Sequence, residues 1–381
     1  MALTSCVDIE RELDDIFRPI FPIGEPGGAV LVMRGDKVLY DKGFGIADLN
    51  TLDLIDGNTS FNIASCSKQF TAVAVLQLAE EGRLSLEDRI IDYFPEFLNG
   101  TPSDSIWRDV RVKHLLSHSS GIPDARGYLS RERKVQGDEA LALEYMYGLD
   151  YLHFAPGTAY EYINPTFVLL GRLVEKVSGD EFTAYVQEHI FDPAGMDRTV
   201  YFDRDRQDAI PSMAHGYEYL DVSSMGEERA PSNDDDETPL KEWYEYDFGE
   251  ETFFATRPDG GIYSSTHEIV KWEKALRKAE ILSAESLQKA WTPYTQVFGS
   301  VWSDYQNRPG TWYGYGWFIE KDSDTAAPSC IYHTGDNGGF KALVARYPAS
   351  QALVVILANR ADWDRWQVKT RVEEVLGLRI L

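Results

Sequence analysis

The 381-residue sequence predicts an α/β protein whose main sheet is assembled from both ends of the chain. Two observations carry that reading: a strand pair lies near each terminus, and helical periodicity fills the middle. From Asp8 to Phe17, the residues Ile9, Leu13, Ile16 and Phe17 share one helical face, and Pro19 stops the helix. Gly28–Met33 and Lys37–Tyr40 flank Arg34-Gly-Asp-Lys37 and read as a β-hairpin. Phe70–Glu81, Pro165–Val177 and Asp180–Ile190 read as helices, the first two ending at Gly82 and Gly179, which suit left-handed caps. Lys341–Tyr347 and Ala352–Ala358 flank Pro348-Ala-Ser-Gln351 as a second hairpin, and a helix over Asp364–Leu376 closes the chain. The organisation expected is one domain over 1–381. Its α/β part spans 1–95 and 260–381, and a mostly helical insert spans 96–259.

Charge narrows the function classes. The chain carries 62 Asp or Glu against 37 Lys or Arg, a formal net charge of −25. Nucleic acid is excluded as a partner, because phosphate binding needs clustered cations that displace counterions. An anionic membrane surface is disfavoured for the same reason. Hydrophobic residues at 43% supply ample core, and no run approaches the roughly 18 apolar residues of a spanning helix. The first 16 residues are acid-rich and show no basic region followed by an apolar stretch. The expected location is therefore cytoplasmic, although a periplasmic or secreted protein trimmed of its leader reads the same way. Cys6, Cys66 and Cys330 are too few and too scattered for a disulfide framework or a metal-ligand spacing. Gly226–Leu240 reads as an exposed acidic loop. Neither it nor Asp203-Arg-Asp205 has the turn glycine and closing glutamate of a calcium loop.

Chemistry-bearing motifs are few. Gly43-Phe-Gly45 begins a dinucleotide loop but has Asp48 where the third glycine belongs, and no phosphate loop or Gly-x-Ser-x-Gly elbow occurs. What remains is Ser65-Cys-Ser-Lys68, where an extended Phe61–Ala64 enters a helix. Positions i and i+3 share a helix face, so the lysine amine can reach the serine hydroxyl and take its proton. A serine at a helix N-terminus also has free backbone N–H groups nearby for a developing oxyanion. The pattern alone is weak. A second copy, Ser286-Leu-Gln-Lys289, lies in an amphipathic segment and reads as surface helix.

Two further segments add weight. Tyr162-Ile-Asn164 precedes the Pro165 helix, and His333-Thr-Gly335 leads into Gly338-Gly-Phe340 and the penultimate strand. Singly, Tyr162 reads as a half-buried tyrosine and Asn164 as a helix cap. In the order Ser-x-x-Lys, Tyr-x-Asn, basic residue-Thr-Gly, they resemble the serine β-lactamase and penicillin-recognising hydrolase family. The likeness is to its class C-like branch of β-lactamases, D-peptidases and esterases. Gly82–Asp88, His114–Ile122, Asp259–Ser264 and Tyr313–Trp317 extend the resemblance from about Gly27 to Asn359. It implies a β-lactamase/DD-peptidase-like fold: an antiparallel sheet from both chain ends, flanked by helices, with an inserted helical subdomain.

The resemblance also implies roles. Ser65 is the nucleophile, and Lys68 and Tyr162 share acid–base work. Asn164 bonds Lys68 and the substrate amide. His333, Thr334 and Gly335 form the substrate-binding edge, and the N–H groups of Ser65 and Asp336 form the oxyanion hole. No cofactor and no metal are required. His114 and His118 have metal-compatible spacing but no third ligand, and in the family their segment is structural. Cys66 reads as packing.

His333 is a departure, since typical family members carry lysine there. A mostly neutral imidazole puts recognition of a free carboxylate in doubt. His-x-Gly is similar to the D-aminopeptidase and D-amino-acid amidase members and some esterases. The expected activity is hydrolysis of an amide, peptide or ester bond in a small molecule or peptide, with D-amino-acid substrates included. The alternatives are a β-lactamase or penicillin-binding DD-carboxypeptidase, and a non-catalytic penicillin-binding or regulatory relative. Oligomeric state is unreadable.

Overall fold

The structure, a computed structural model, describes residues 6–97, 105–124, 143–144, 146–203, 205–221, 241–247, 256–323 and 325–378. Its main sheet has eight antiparallel strands. They are β1 (Gly28–Arg34), β2 (Lys37–Phe44), β3 (Thr295–Gln296), β4 (Thr311–Tyr313), β5 (Phe318–Glu320), β6 (Cys330–Asn337), β7 (Phe340–Tyr347) and β8 (Ala352–Ala358). The spatial order is β3-β4-β5-β6-β7-β8-β1-β2. β1 pairs with β8 from Gly28↔Ala358 to Arg34↔Ala352, so the two ends of the chain meet inside one sheet.

Among the described residues the longest helices are α1 (Cys6–Phe17), α2 (Lys68–Glu80), α3 (Asn164–Ser178), α4 (Thr266–Arg277) and α5 (Arg365–Leu376). Strand alternation sorts the side chains between two cores. Leu31, Met33, Val355 and Leu357 join Phe70, Val73, Leu169 and Trp272 of α2, α3 and α4. Val30, Val32, Val354 and Ile356 join Leu13, Phe17, Val368 and Val372 of α1 and α5. With both faces covered, every residue of β8 is buried, which accounts for its unbroken apolar run. Helix ends follow their local chemistry. Asp364 caps α5 by accepting from the Trp366 and Gln367 N–H groups, and Gly82 and Gly179 adopt positive φ as expected.

The middle of the chain differs from its expectation in two places. The helix expected over Asp180–Ile190 is an α-turn at Phe182–Val186 that widens into a π segment at Gln187–Phe191. The wider turn carries the consecutive Ile190 and Phe191 into the core. There are also strands within the expected helical insert. Val200–Tyr201 and Phe61–Asn62 both pair with Ile262–Ser264, and Tyr217–Asp221 pairs with Lys241–Glu245. The small three-stranded sheet anchors the chain just before Ser65. Gly226–Leu240 lies outside the described residues.

Candidate active site

The site begins with a sharp turn. Leaving the Phe61–Asn62 strand, Ala64 takes a left-handed conformation (φ 45°), and its N–H is held by Asn62 Oδ1 at 2.8 Å. Ala64–Ser67 then forms a 3-10 turn, and α2 starts only at Lys68. Ser65 therefore sits in a tighter turn than the α-helical start expected. Side chains three apart eclipse in such a turn, which keeps Ser65 and Lys68 on one side. Lys68 is fully buried. Its Nζ lies 2.9 Å from Ser65 Oγ and donates to Asp259 O at 2.7 Å. Cys66 turns away into the core, Sγ 3.5 Å from His333 O, and burial pushes its thiol up to about 12, an inert packing residue.

Tyr162 stands just before α3 and closes the site from the side. Its ring lies 4.3 Å from that of His118 and 4.4 Å from that of Tyr305, and the Lys68 ammonium is 5.0 Å from its centroid. Burial raises its phenol well above the usual range, with the neighbouring tyrosines adding to this and the nearby Ser65 opposing it. The resting side chain is a neutral phenol. The expected bond from Asn164 to Lys68 is not made. Lys68 is committed to the carbonyl of Asp259, whose neighbour Pro258 is pinned by the Thr71 hydroxyl, and Asn164 Oδ1 is left buried and unpartnered.

The third wall is β6. His333 Nδ1 donates to Thr334 O at 2.7 Å, and Nε2 accepts from the Tyr313 hydroxyl at 3.0 Å. Burial, with Lys68 adding repulsion, lowers this imidazole to about 3, so it is neutral. Thr334 Oγ1 is engaged by the Tyr305 hydroxyl and by Gln306 Nε2, each at 2.8 Å. A Cβ on Gly335 would lie 2.2 Å from Ile63 O, so glycine is what lets β6 lie against the Ser65 turn. The Asp336 carboxylate is taken in bidentate fashion by Arg365 at 2.6 and 2.9 Å, and Arg365 also donates to Gly335 O. Ser65, Lys68, Tyr162, Asn164 and the His333–Asp336 segment are thus brought together from three separate parts of the chain.

A family model described as Beta-lactamase matches residues 13–377. The chain belongs to the Beta-lactamase family. It is 27% identical over 360 residues to a penicillin-binding protein of Bacillus subtilis (strain 168), covering 92% of this chain and 72% of that one. Among solved structures, a penicillin binding protein from Bacillus halodurans aligns with a TM-score of 0.73 at 27% identity, covering 95% of this chain and 98% of that one. A D-amino acid amidase from Ochrobactrum anthropi SV3 shares the fold, with a TM-score of 0.69 at 21% identity and 97% coverage of each chain. The protein is a β-lactamase-related serine hydrolase with the family's antiparallel sheet and helices.

Within this Beta-lactamase family site, the two histidines considered for metal serve the backbone. His114 Nδ1 accepts from the Arg111 N–H and His118 Nδ1 from the Ile163 N–H, each at 3.2 Å, and burial lowers both imidazoles. Away from the site, His215, Glu245 and Asp247 bring ligand atoms within 4.8 Å of one another. There Asp247 bonds His215 Nδ1 at 2.9 Å and raises the imidazole to about 8. Sequence reasoning missed several contributors. Asp259 and Tyr313 lay in segments noted for the resemblance but had no assigned role. Tyr305, Gln306 and Arg365 gave no signal, since their importance comes from what they touch.

Proposed function

We propose that this hydrolase cleaves an amide, peptide or ester bond through an acyl-enzyme on Ser65, with D-aminoacyl groups among its substrates. The observation that carries the reading is the 2.9 Å contact between Ser65 Oγ and a fully buried lysine amine. A neutral Lys68 would keep one N–H on Asp259 O and turn its lone pair to the Ser65 hydroxyl, taking the proton as Oγ attacks the carbonyl. The N–H groups of Ser65 and Asp336 would receive the oxyanion. As the intermediate collapses, the neutral Tyr162 phenol would protonate the leaving group, and the resulting phenolate would activate the water that frees the acyl chain. Asn164 Oδ1 is available to a substrate N–H.

His333 favours substrates without a free carboxylate. At the place of the family's lysine it is neutral, and both ring nitrogens are already bonded. The amidase neighbour acts on amino-acid amides, consistent with this choice. Likeness to penicillin-binding proteins favours the second reading, a β-lactam-acylated DD-carboxypeptidase or β-lactamase. Intact-mass analysis after treatment with a fluorophosphonate, and separately with a β-lactam, tests both readings. An adduct on the Ser65 peptide is expected with the fluorophosphonate, and an adduct mapping elsewhere would sink the nucleophile assignment. D-aminoacyl anilides and short p-nitrophenyl esters should turn over, whereas turnover confined to a chromogenic cephalosporin would favour the second reading.

A further inference from the structure

The segment between β3 and β4 reaches into the site. Its Tyr305 ring packs on Tyr162, and Tyr305 and Gln306 together hold the Thr334 hydroxyl. Both hydrogen bonds compete with any substrate group that seeks Thr334. The remaining cation on this wall is also occupied, because Arg365 is spread over Asp336 and the Gly335 carbonyl. No free positive charge therefore faces a substrate carboxylate from His333, Thr334 or Arg365. Unmet acceptors are what the site does offer. Gln306 Oε1 is buried without a hydrogen-bond partner while its Nε2 is fixed on Thr334, and Asn164 Oδ1 is likewise buried without a partner. A buried acceptor without a donor is costly, and a ligand N–H that meets it recovers that cost. The outer end of the same segment adds an apolar element. Trp302 stacks on His153 at 4.9 Å and lies beside Phe154, with part of its ring exposed.

We propose that Gln306 is a specificity-determining residue. Its carboxamide oxygen receives an N–H of the substrate's amino group, and its amide nitrogen, with Tyr305, withholds Thr334 from a carboxylate. The substrate class is accordingly an aminoacyl amide or ester with a free amine and an apolar side chain. This rests on the acyl-enzyme reading of Ser65. A site built to hydrogen-bond an N–H discriminates strongly against the analogue lacking it, because the acceptor is then left unpaired.

The test uses protection of Ser65 from fluorophosphonate labelling, which needs no turnover. Three competitors are compared: D-phenylalaninamide, 3-phenylpropanamide without the amine, and N-acetyl-D-phenylalanine with a carboxylate. The amine-bearing ligand is expected to protect at a concentration at least about tenfold lower than either of the others. Gln306→Ala should close that gap, whereas Gln306→Glu, which keeps an acceptor, should preserve or widen it. Thermal melts of both variants check folding. Equal protection by all three ligands in the parent would overturn the inference, as would a gap that survives Gln306→Ala. A parent whose Ser65 is never labelled would instead overturn the acyl-enzyme reading and this inference with it.

Discussion

A lysine as buried as Lys68 needs neighbours that justify it, and here they are a serine hydroxyl, a fixed carbonyl and two aromatic faces. Replacing it by methionine keeps the packing and removes the proposed base. Lys68→Met is expected to slow fluorophosphonate labelling of Ser65 by roughly 10²- to 10⁴-fold with the thermal melt retained. A rate within threefold of the parent would show that another group takes the serine proton. The buried histidines make a second residue-scale prediction. His118 and His333 are held neutral in the fold, His333 down to about 3. Below pH 6.5 the unfolded chain binds protons there that the folded chain refuses, so stability falls as pH drops from 6.5 toward the folded values. For His333 the loss grows by roughly one and a half kcal/mol per pH unit, about 2 kcal/mol at pH 5, and His118 acts in the same direction. His215, raised to about 8, acts in the opposite sense and loses its contribution as pH rises from 6.5 through 8. Urea midpoints should peak near neutrality and fall toward pH 5, with a shallower acid fall in His333→Gln. A flat profile from pH 5 to 6.5 would contradict the buried neutral state.

At the scale of elements, the site is a meeting of β6 with the 3-10 turn before α2, made possible by Gly335. A methyl group there would meet Ile63 O and push the strand away from Ser65. Gly335→Ala should lower the Ser65 labelling rate by on the order of 10²-fold or more if the Asp336 N–H is the oxyanion donor proposed above. It should also cost about 1–3 kcal/mol in urea unfolding, and unaltered labelling would separate β6 from the oxyanion hole. The terminal hairpins were legible as elements because their alternation and turns are local signals. The serine–lysine pair was legible for the same reason, being three residues apart. Tighter or wider turns were not. The 3-10 geometry at Ala64–Ser67 and the π segment at Gln187–Phe191 arise from what they pack against. The strand pair Tyr217–Asp221 with Lys241–Glu245 was missed because its partners are separated by the long acidic stretch.

Over the whole molecule, β1 and β8 join the two ends of the chain, and α1 and α5 cover the face they share. Lys369 of α5 is buried with Glu320 of β5 at 2.8 Å and Glu373 at 2.6 Å, locking the last helix to the strand that pairs with β6. Removing the cation takes one charge partner from each carboxylate, Glu320 keeping Arg308 and Glu373 the Tyr347 hydroxyl, so Lys369→Met should cost roughly 3 kcal/mol in urea unfolding. The control Lys289→Met breaks a fully exposed surface pair with Glu285 and should leave the urea midpoint essentially unchanged. Equal effects would mean that the buried network does not bear on stability.

From the sequence by itself came the fold class, the two-ended sheet and the candidate set Ser65, Lys68, Tyr162, Asn164 and His333. Each left a local pattern, a spacing or an ordered motif. Tertiary structure alone decided that Lys68 rests on Asp259 rather than Asn164, that burial keeps His333 neutral with Nε2 accepting from Tyr313, and that Tyr305 and Gln306 occupy Thr334. These contacts join residues distant in the chain, one through a backbone carbonyl that every residue type possesses. They leave no mark on the sequence, yet they set the charge and hydrogen-bonding character of the site.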